Sequence, residues 1–360
     1  MIVIQTCVPD YRILFFQLLK SRVQHLRVYS GLNFFDPSVK TASLKEPWSR
    51  LVDNKFLFQR AALWQRLPLS VINSDEVVFA ELNPRNFTSW VIGAWRTLMG
   101  KPIVFWGHAW ARSGPNSKTV FIRLLMWRLC DAKLVYTLRQ LTELKRVLPG
   151  PTFATRNALY SEKMIVRRTV MYRRHFVYVG RMVADKKPEL LLRAFAIFAE
   201  KDPEICLDIV GEGPERMRLT RLACDLGVGH RVVFHGHISD MKSLGEIYGR
   251  AIAAVSPGYL GLSATQAFFF GVPILVADGE PHSPEIEACL PGLNSVFFPS
   301  DDGEALALLL KNLSDHQTRW AELSTAIQDG VCARYSIEKM VDSFSLAAEA
   351  ARKVSRWGLV

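Results

Sequence analysis

Arg181 and Lys186 lie five positions apart in VGRMVADKK (Val179–Lys187), where a short apolar run ends and a helical pattern begins. Two cations at one strand tip beside a helix start suit a diphosphate, because positive charge and helix N–H groups both favour phosphate. If that diphosphate is a leaving group, its charge grows in the transition state, and fixed cations then act more strongly there than in the ground state. Arg and Lys near strand tips are also ordinary surface residues, so neighbouring segments must decide. GEGP (Gly211–Pro214) reads as a tight turn with close backbone approach, and Pro214 suits a first helical position. In SPGYLGLSATQAFFFGVPIL (Ser256–Leu275), a strand ends at Ser256, a Gly-containing loop follows, and a helix begins near Ser263, which suits a cap. The loop amides there suit phosphate, Gln266 one turn in suits a ribose hydroxyl, and Phe268, Phe269 and Phe270 read as core.

The elements that must position these residues follow from the periodicity. FVYVGR, ICLDIVGEG, RVVFHG, AIAAVSP and VPILVAD are short apolar runs separated by helical patterns at Pro188–Lys201, Pro214–Leu226, Met241–Arg250 and Ser263–Phe270. Such alternation predicts an α/β domain with a mostly parallel sheet, whose ligands bind at the carboxyl ends of the strands. The first half repeats the theme with MIVIQT, HLRVYSGL, VVFAEL, KPIVFWGH, AKLVYT and PTFATRN, and with helical patterns at Thr119–Cys130 and Arg139–Leu148. A chain of 360 residues fits two such domains. The expected division is 1–172, then 173–335, then a C-terminal helix over 336–360. Tyr160–His175, with Arg167, Arg168, Arg173 and Arg174, reads as the linker.

Composition narrows the partners. Hydrophobic residues make up 49% and charged residues 22%, a globular balance. No apolar run reaches the length of a membrane span, the N-terminus lacks a basic leader, and the six scattered cysteines form no C-x-x-C pair. These features argue against a zinc site and a disulfide framework and predict a cytoplasmic protein. Residues 1–172 carry 25 Lys/Arg against 10 Asp/Glu, whereas residues 173–360 carry 20 against 24. The basic half also holds Trp48, Trp64, Trp90, Trp95, Trp106, Trp110 and Trp127. A basic, Trp-rich surface predicts peripheral contact with an anionic membrane, and the absence of a nucleic-acid motif argues against nucleic acid as partner.

Taken in order, GR-x4-K, G-x-G-P, VxFxG, SPGYxGL-x3-QA, GVP and PE (Pro284–Glu285) resemble the C-terminal half of family 4 glycosyltransferases. The match runs from about Phe176 to Glu285. PDYR (Pro9–Arg12) and KPIVFWGHAW (Lys101–Trp110) look like segments of the polysaccharide-assembly members, and RNALY (Arg156–Tyr160) resembles the family stretch where an Asn precedes the linker. The resemblance implies the GT-B fold, two Rossmann-like domains facing across a cleft, a C-terminal helix that crosses back to the first domain, and metal-independent transfer of a sugar from a nucleotide-sugar with retention of anomeric configuration; the nucleotide-sugar is a substrate and no cofactor is expected. It implies Arg181 and Lys186 as the phosphate-binding pair and His108 as the N-domain histidine near the reacting sugar. Gly211, Gly213, His235, Gly258, Tyr259, Gly261, Leu262, Gln266 and Glu285 would be donor-side, and Tyr11 and Arg12 acceptor-side. The acceptor would be a saccharide or glycolipid hydroxyl at the inner face of the membrane. The sequence departs from the family where two glutamates commonly stand seven residues apart: here the positions hold Gly258 and Gln266. That departure keeps open a catalytically impaired nucleotide-sugar-binding partner subunit, beside an epimerase-like enzyme of the same fold.

Overall fold

The short apolar runs become two all-parallel sheets in the computed structural model, which describes residues 1–35, 41, 45–111, 114–167 and 173–354. The chain divides into two units: Met1–Leu159 with Ser336–Val360, and Tyr160–Tyr335.

In the first unit the strands are β1 (Ile2–Cys7), β2 (Arg27–Gly31), β3 (Ser49–Leu51), β4 (Asn54–Leu57), β5 (Ala62–Gln65), β6 (Val78–Glu81), β7 (Ile103–Trp106), β8 (Ala132–Val135) and β9 (Thr152–Ala154). The helices are α1 (Ile13–Arg22), α2 (Leu69–Ile72), α3 (Phe87–Leu98), α4 (Val120–Trp127) and α5 (Leu138–Val147). Seven strands form one sheet in the order β3-β2-β1-β6-β7-β8-β9, and β4 and β5 form a separate antiparallel hairpin. The sequence pattern had not revealed β3, β4 or β5, which are three or four residues long and alternate weakly. One hydrophobic cluster joins α1 to one side of the sheet through Phe15, Phe16 and Leu19. Another joins α3, α4 and α5 to the other side through Ile92, Met126, Trp127 and Leu144.

The second unit holds β10 (His175–Val179), β11 (Cys206–Val210), β12 (Val232–Gly236), β13 (Ala251–Ser256), β14 (Ile274–Asp278) and β15 (Ser295–Pro299). Its helices are α6 (Pro188–Ala199), α7 (Arg216–Asp225), α8 (Met241–Gly249), α9 (Ser263–Phe269), α10 (Gly303–Asp315), α11 (Gln317–Glu322) and α12 (Ser324–Tyr335). The order β12-β11-β10-β13-β14-β15 reverses between β10 and β13. At such a reversal the helices leave on opposite faces, and a crevice opens beyond the strand ends. The last helix, α13 (Ile337–Val354), returns to the first unit and buries Met340, Val341 and Phe344 against α1 and the sheet.

The unit boundary falls at Tyr160, ahead of the basic stretch read as a linker. Tyr160 accepts a hydrogen bond from the Gln266 amide at 2.8 Å, and Arg167 pairs with Asp329, so both belong to the second unit. Arg168 lies outside the described residues. Two local expectations are corrected. Ser263 does not cap α9: Leu262 is the cap residue and no side chain bonds the free amides. Pro214 does not open α7, which starts at Arg216.

Candidate functional site

The reversal of strand order places the ends of β10 and β13 side by side, and the two most informative sequence segments grow from those ends. The loop after β10 carries Arg181 and Lys186; the loop after β13 carries Gly258, Tyr259 and Gly261. Lys186 Nζ donates to the Tyr259 carbonyl oxygen at 3.1 Å and stands 5.5 Å from the centre of the Tyr259 ring. The Tyr259 amide donates to the Asp185 carbonyl oxygen at 2.9 Å. Burial, then the neighbouring Arg181 charge, pull the Lys186 pKa down to about 8, against an opposing pull from the Glu285 carboxylate. Arg181 is exposed at the rim of this arrangement. A half-buried ammonium beside a second cation is poorly solvated, and an arriving anion relieves both penalties.

The glycines divide by what surrounds them. A Cβ on Gly211 would stand 1.9 Å from the Gly180 carbonyl oxygen, and its φ of 138° already excludes most side chains. A Cβ on Gly213 would stand 2.2 Å from the Met182 carbonyl oxygen. The two loops are laced there: Gly180 donates to the Val210 carbonyl at 2.9 Å and Met182 to the Glu212 carbonyl at 2.9 Å. Gly211 and Gly213 therefore pack the β11 tip against the cation loop. Gly258 is buried, and its Cβ would stand 2.6 Å from the Asp185 carbonyl oxygen. That contact explains why the commonly acidic position is glycine here: the cation loop fills the space a side chain would need. Gly261 differs, with no atom within 4 Å of its Cβ position and no left-handed φ. Neither packing nor backbone conformation demands glycine there, which leaves open space beside the loop backbone for a ligand.

Adjacent lysines take opposite jobs. Lys187 is left-handed, with φ 48°, and turns away from Lys186 to bond Glu280 at 2.6 Å and Asp301 at 2.7 Å. It anchors the cation loop to the ends of β14 and β15. His282, left without a role by the sequence, holds the other side of the β13 loop. The Leu260 amide donates to His282 Nδ1 at 3.1 Å, so the proton sits on Nε2, which donates to the Ala277 carbonyl at 2.8 Å. Ser283 reinforces it through its amide to the Leu260 carbonyl at 3.0 Å, and its hydroxyl bonds the buried Glu285 carboxylate. Glu285 thus sits inside the short 3-10 helix Pro284–Ala288 and acts on Lys186 through its field.

Several expected donor-side groups are engaged elsewhere. His235 bonds Asp208 at 2.7 Å, within a cluster where Arg250 holds the same carboxylate by two bonds at 2.7 and 2.9 Å and His175 approaches it at 3.0 Å. Burial would raise the Asp208 pKa, but the close approach of His175 and the bonds from Arg250 and His235 outweigh it and hold the group at about 2. His235 is placed by this cluster. Gln266 accepts from the Tyr248 hydroxyl at 3.2 Å and donates to Tyr160, so one amide hydrogen and one lone pair remain for a ligand. Of the three phenylalanines read as core, Phe268 and Phe269 are buried and Phe270 is partly buried.

In the first unit, His108 follows β7 and Gly107. The residue is exposed as a whole, its ring packs 4.7 Å from the Tyr136 ring, and Arg123 donates to its backbone carbonyl at 3.1 Å. Desolvation by the surrounding protein, then the Arg123 charge, push its pKa down to about 4. It is a neutral hydrogen-bonding group near neutral pH. Arg12 corrects an expectation. It is 3% exposed, its guanidinium lies 4.6 Å over the Trp106 ring and bonds Asn157, and it touches Met340 of α13. It locks the first unit internally and presents no charge to an acceptor; Tyr11, 37% exposed, stays accessible. The expected Trp-rich surface is also corrected: Trp106 and Trp127 are fully buried and Trp110 nearly so, leaving Trp64 and Trp95 as the well-exposed indoles. Among the described residues, no group of three or more His, Cys, Asp or Glu could hold a metal, and no helix is long and apolar enough to cross a membrane.

Residues 166–328 match the family profile described as glycosyl transferases group 1. Over 140 residues the chain is 30% identical to the UDP-N-acetylglucosamine–peptide N-acetylglucosaminyltransferase GtfA subunit of Streptococcus parasanguinis, covering 38% of this chain and 26% of that protein. Over 122 residues it is 30% identical to a GDP-mannose-dependent alpha-(1-6)-phosphatidylinositol dimannoside mannosyltransferase of Mycobacterium tuberculosis, covering 31% of each. The chain therefore spans a quarter to a third of the length of these curated relatives. Solved structures share the fold over nearly the whole chain. Anabaena Alr3699/HepE in complex with UDP superposes with a TM-score of 0.70 at 13% identity, covering 97% of this chain and 99% of that one. The lipopolysaccharide outer core galactosyltransferase WaaB superposes with a TM-score of 0.67 at 14% identity, again covering 97% and 99%. With its two doubly wound parallel sheets, the chain has the GT-B fold.

Proposed function

We propose that this chain, whose residues 166–328 match the profile of the group 1 glycosyl transferases, is a retaining glycosyltransferase that moves a sugar from a nucleoside diphosphate onto a saccharide or glycolipid hydroxyl. The observation that carries this reading is the desolvated Lys186, held against the Tyr259 carbonyl next to Arg181 at the β10/β13 reversal. The open backbone at Gly261 adjoins it. The cations grip the donor's diphosphate. As the bond from the sugar's anomeric carbon to the phosphate oxygen breaks, negative charge collects where they stand. The departing phosphate oxygen takes the proton of the acceptor hydroxyl, whose oxygen forms the new glycosidic bond on the face the diphosphate leaves. No protein nucleophile and no metal are required; positioning and fixed charge supply the rate. Neutral His108 orients the sugar or the acceptor by a hydrogen bond.

The similarity to a phosphatidylinositol mannosyltransferase and, in fold, to a lipopolysaccharide transferase supports surface-polysaccharide or lipopolysaccharide assembly, with a lipid-linked acceptor and a peripheral place on the membrane's inner face. Incubation with a panel of nucleotide-sugars and a lipid-linked acceptor tests the reading. Free nucleoside diphosphate together with a sugar-extended acceptor of retained configuration is the expected result. Nucleotide binding with no turnover on any acceptor contradicts it.

A further inference from the structure

The outer surfaces of α3 and α4 are apolar although nothing in the first unit covers them. On α3 the buried side is Thr88, Ser89, Ile92, Gly93 and Arg96. The opposite side, which an ordinary surface helix fills with polar groups, carries Phe87, Val91, Trp95 and Leu98, each at least 40% exposed and Leu98 76% exposed. On α4, Phe121 is 65% and Leu125 52% exposed, one turn apart on one side. The two helices lie on the same side of the sheet, and α3 meets the end of α4 through Leu129: Gly93 packs against its side chain and Thr97 donates to its carbonyl at 3.2 Å.

Charge says what covers this face. The segment Leu82–Cys130, which contains both helices, has seven Lys/Arg and not one Asp or Glu. Lys118, in the turn just before α4, and Arg128, at its C-cap, are both exposed and stand three positions in sequence from Phe121 and Leu125 respectively, so a cation lies at each end of the apolar pair. Long basic side chains at the two ends of an apolar row can reach lipid phosphates while the row itself enters the acyl boundary. The Trp95 indole N–H, already bonded to Asn73 at 2.8 Å, leaves its ring free to lie at that boundary. A second copy of the chain fits poorly, because pairing two acid-free faces sets like charges against each other.

We infer that the α3/α4 face is a docking surface for an anionic lipid bilayer, inserting Leu98, Phe121 and Leu125 between headgroups that Lys118 and Arg128 neutralise. The inference deepens the membrane contact in the reading above and rests on it for biological purpose, but its test is separate. The full chain is sedimented with vesicles of phosphatidylcholine alone and of phosphatidylcholine mixed equally with phosphatidylglycerol. Wild type should sediment with the mixed vesicles and stay in solution with the neutral ones. The triple variant Leu98→Ser, Phe121→Ser, Leu125→Ser should bind mixed vesicles ~10-fold more weakly, since both apolar burial and charge attraction set such affinities. The double variant Lys118→Glu, Arg128→Glu should lose the preference for mixed vesicles, and it keeps the test decisive if the triple variant folds poorly. Melting shifts with nucleoside diphosphates should match wild type in all variants. Equal vesicle binding by wild type and either variant overturns the inference. So does wild type that ignores both vesicles, or a wild-type dimer that the triple variant dissociates. Failure of the nucleotides to shift the melting of wild type would instead strike the transferase reading and leave the vesicle result intact.

Discussion

Among the described residues, the large hydrophobic side chains that are exposed divide unevenly: eighteen lie in the first unit and six in the second, although the units are similar in length. The second unit directs its special residues inward, onto its own strand-tip loops. The first unit keeps its large polar anchor, Arg12, inside and leaves apolar side chains outside. The contrast teaches that two units of the same doubly wound design are specialised by different means. In the proposed function, one carries an anion site made from backbone and two cations. The other presents surface.

If that division is right, substitutions in the two units should fail in different ways. The largest effect is expected from Arg181→Ala, which should lower turnover by roughly 100-fold or more, because a cation facing a departing diphosphate acts mainly in the transition state; steady-state rates with the active nucleotide-sugar measure it. Next come the glycines. Gly211→Ala and Gly258→Glu should each cost about 1–3 kcal/mol of stability by forcing atoms into the backbone of the cation loop, read as a lowered Tm. Restoring the commonly acidic residue at 258 should therefore weaken the protein and impair donor binding. Gly261→Ala should leave Tm unchanged and weaken nucleotide binding, the reverse pattern.

A pH series follows from Lys186. Its pKa near 8 means that it is charged below that pH and loses its proton as pH rises through it. Diphosphate affinity should therefore fall above about pH 8, with a proton taken up on binding in that range. Lys186→Arg should flatten this limb, since an arginine stays charged. The smallest effect belongs to the first unit. His108→Ala should slow turnover by about 10-fold, the loss of one neutral hydrogen bond. Because desolvation and Arg123 keep the imidazole neutral down to about pH 4, His108 should give no limb near 6.5 in the wild-type pH–rate profile.

Much of the second unit was legible in the sequence, because its function-bearing residues sit in contiguous loops at fixed offsets from apolar runs. Arg181, Lys186 and the 256–262 segment could be read that way as strand-tip residues, and they follow β10 and β13; that these two strands flank the reversal of strand order could not be read. What else could not be read depends on side-chain direction. Nothing in DKK distinguishes Lys186 from Lys187 until the left-handed turn at Lys187 sends them to different partners. The ties of His235 to Asp208, and of Gln266 to Tyr248 and Tyr160, join residues 18 to 106 positions apart. The role of His282 follows from a ring pinned between two backbone groups, which no spacing announces. In the first unit, composition suggested a basic aromatic surface but could not say which indoles were core. Trp106 and Trp127 filled the sheet, and the exposed apolar face fell to α3 and α4. Arg12 was placed on the acceptor side through the resemblance of PDYR, and nothing in that segment shows that Trp106 and α13 close over it.

The grip on the diphosphate is best tested by calorimetric titration of wild type and of the double variant Arg181→Ala, Lys186→Ala with a nucleoside diphosphate and with its parent nucleoside. The double variant should fold, bind the nucleoside as wild type does, and bind the diphosphate at least ~100-fold more weakly, as loss of two charge-assisted contacts requires. Undiminished diphosphate binding by that variant would contradict the assignment of these two cations.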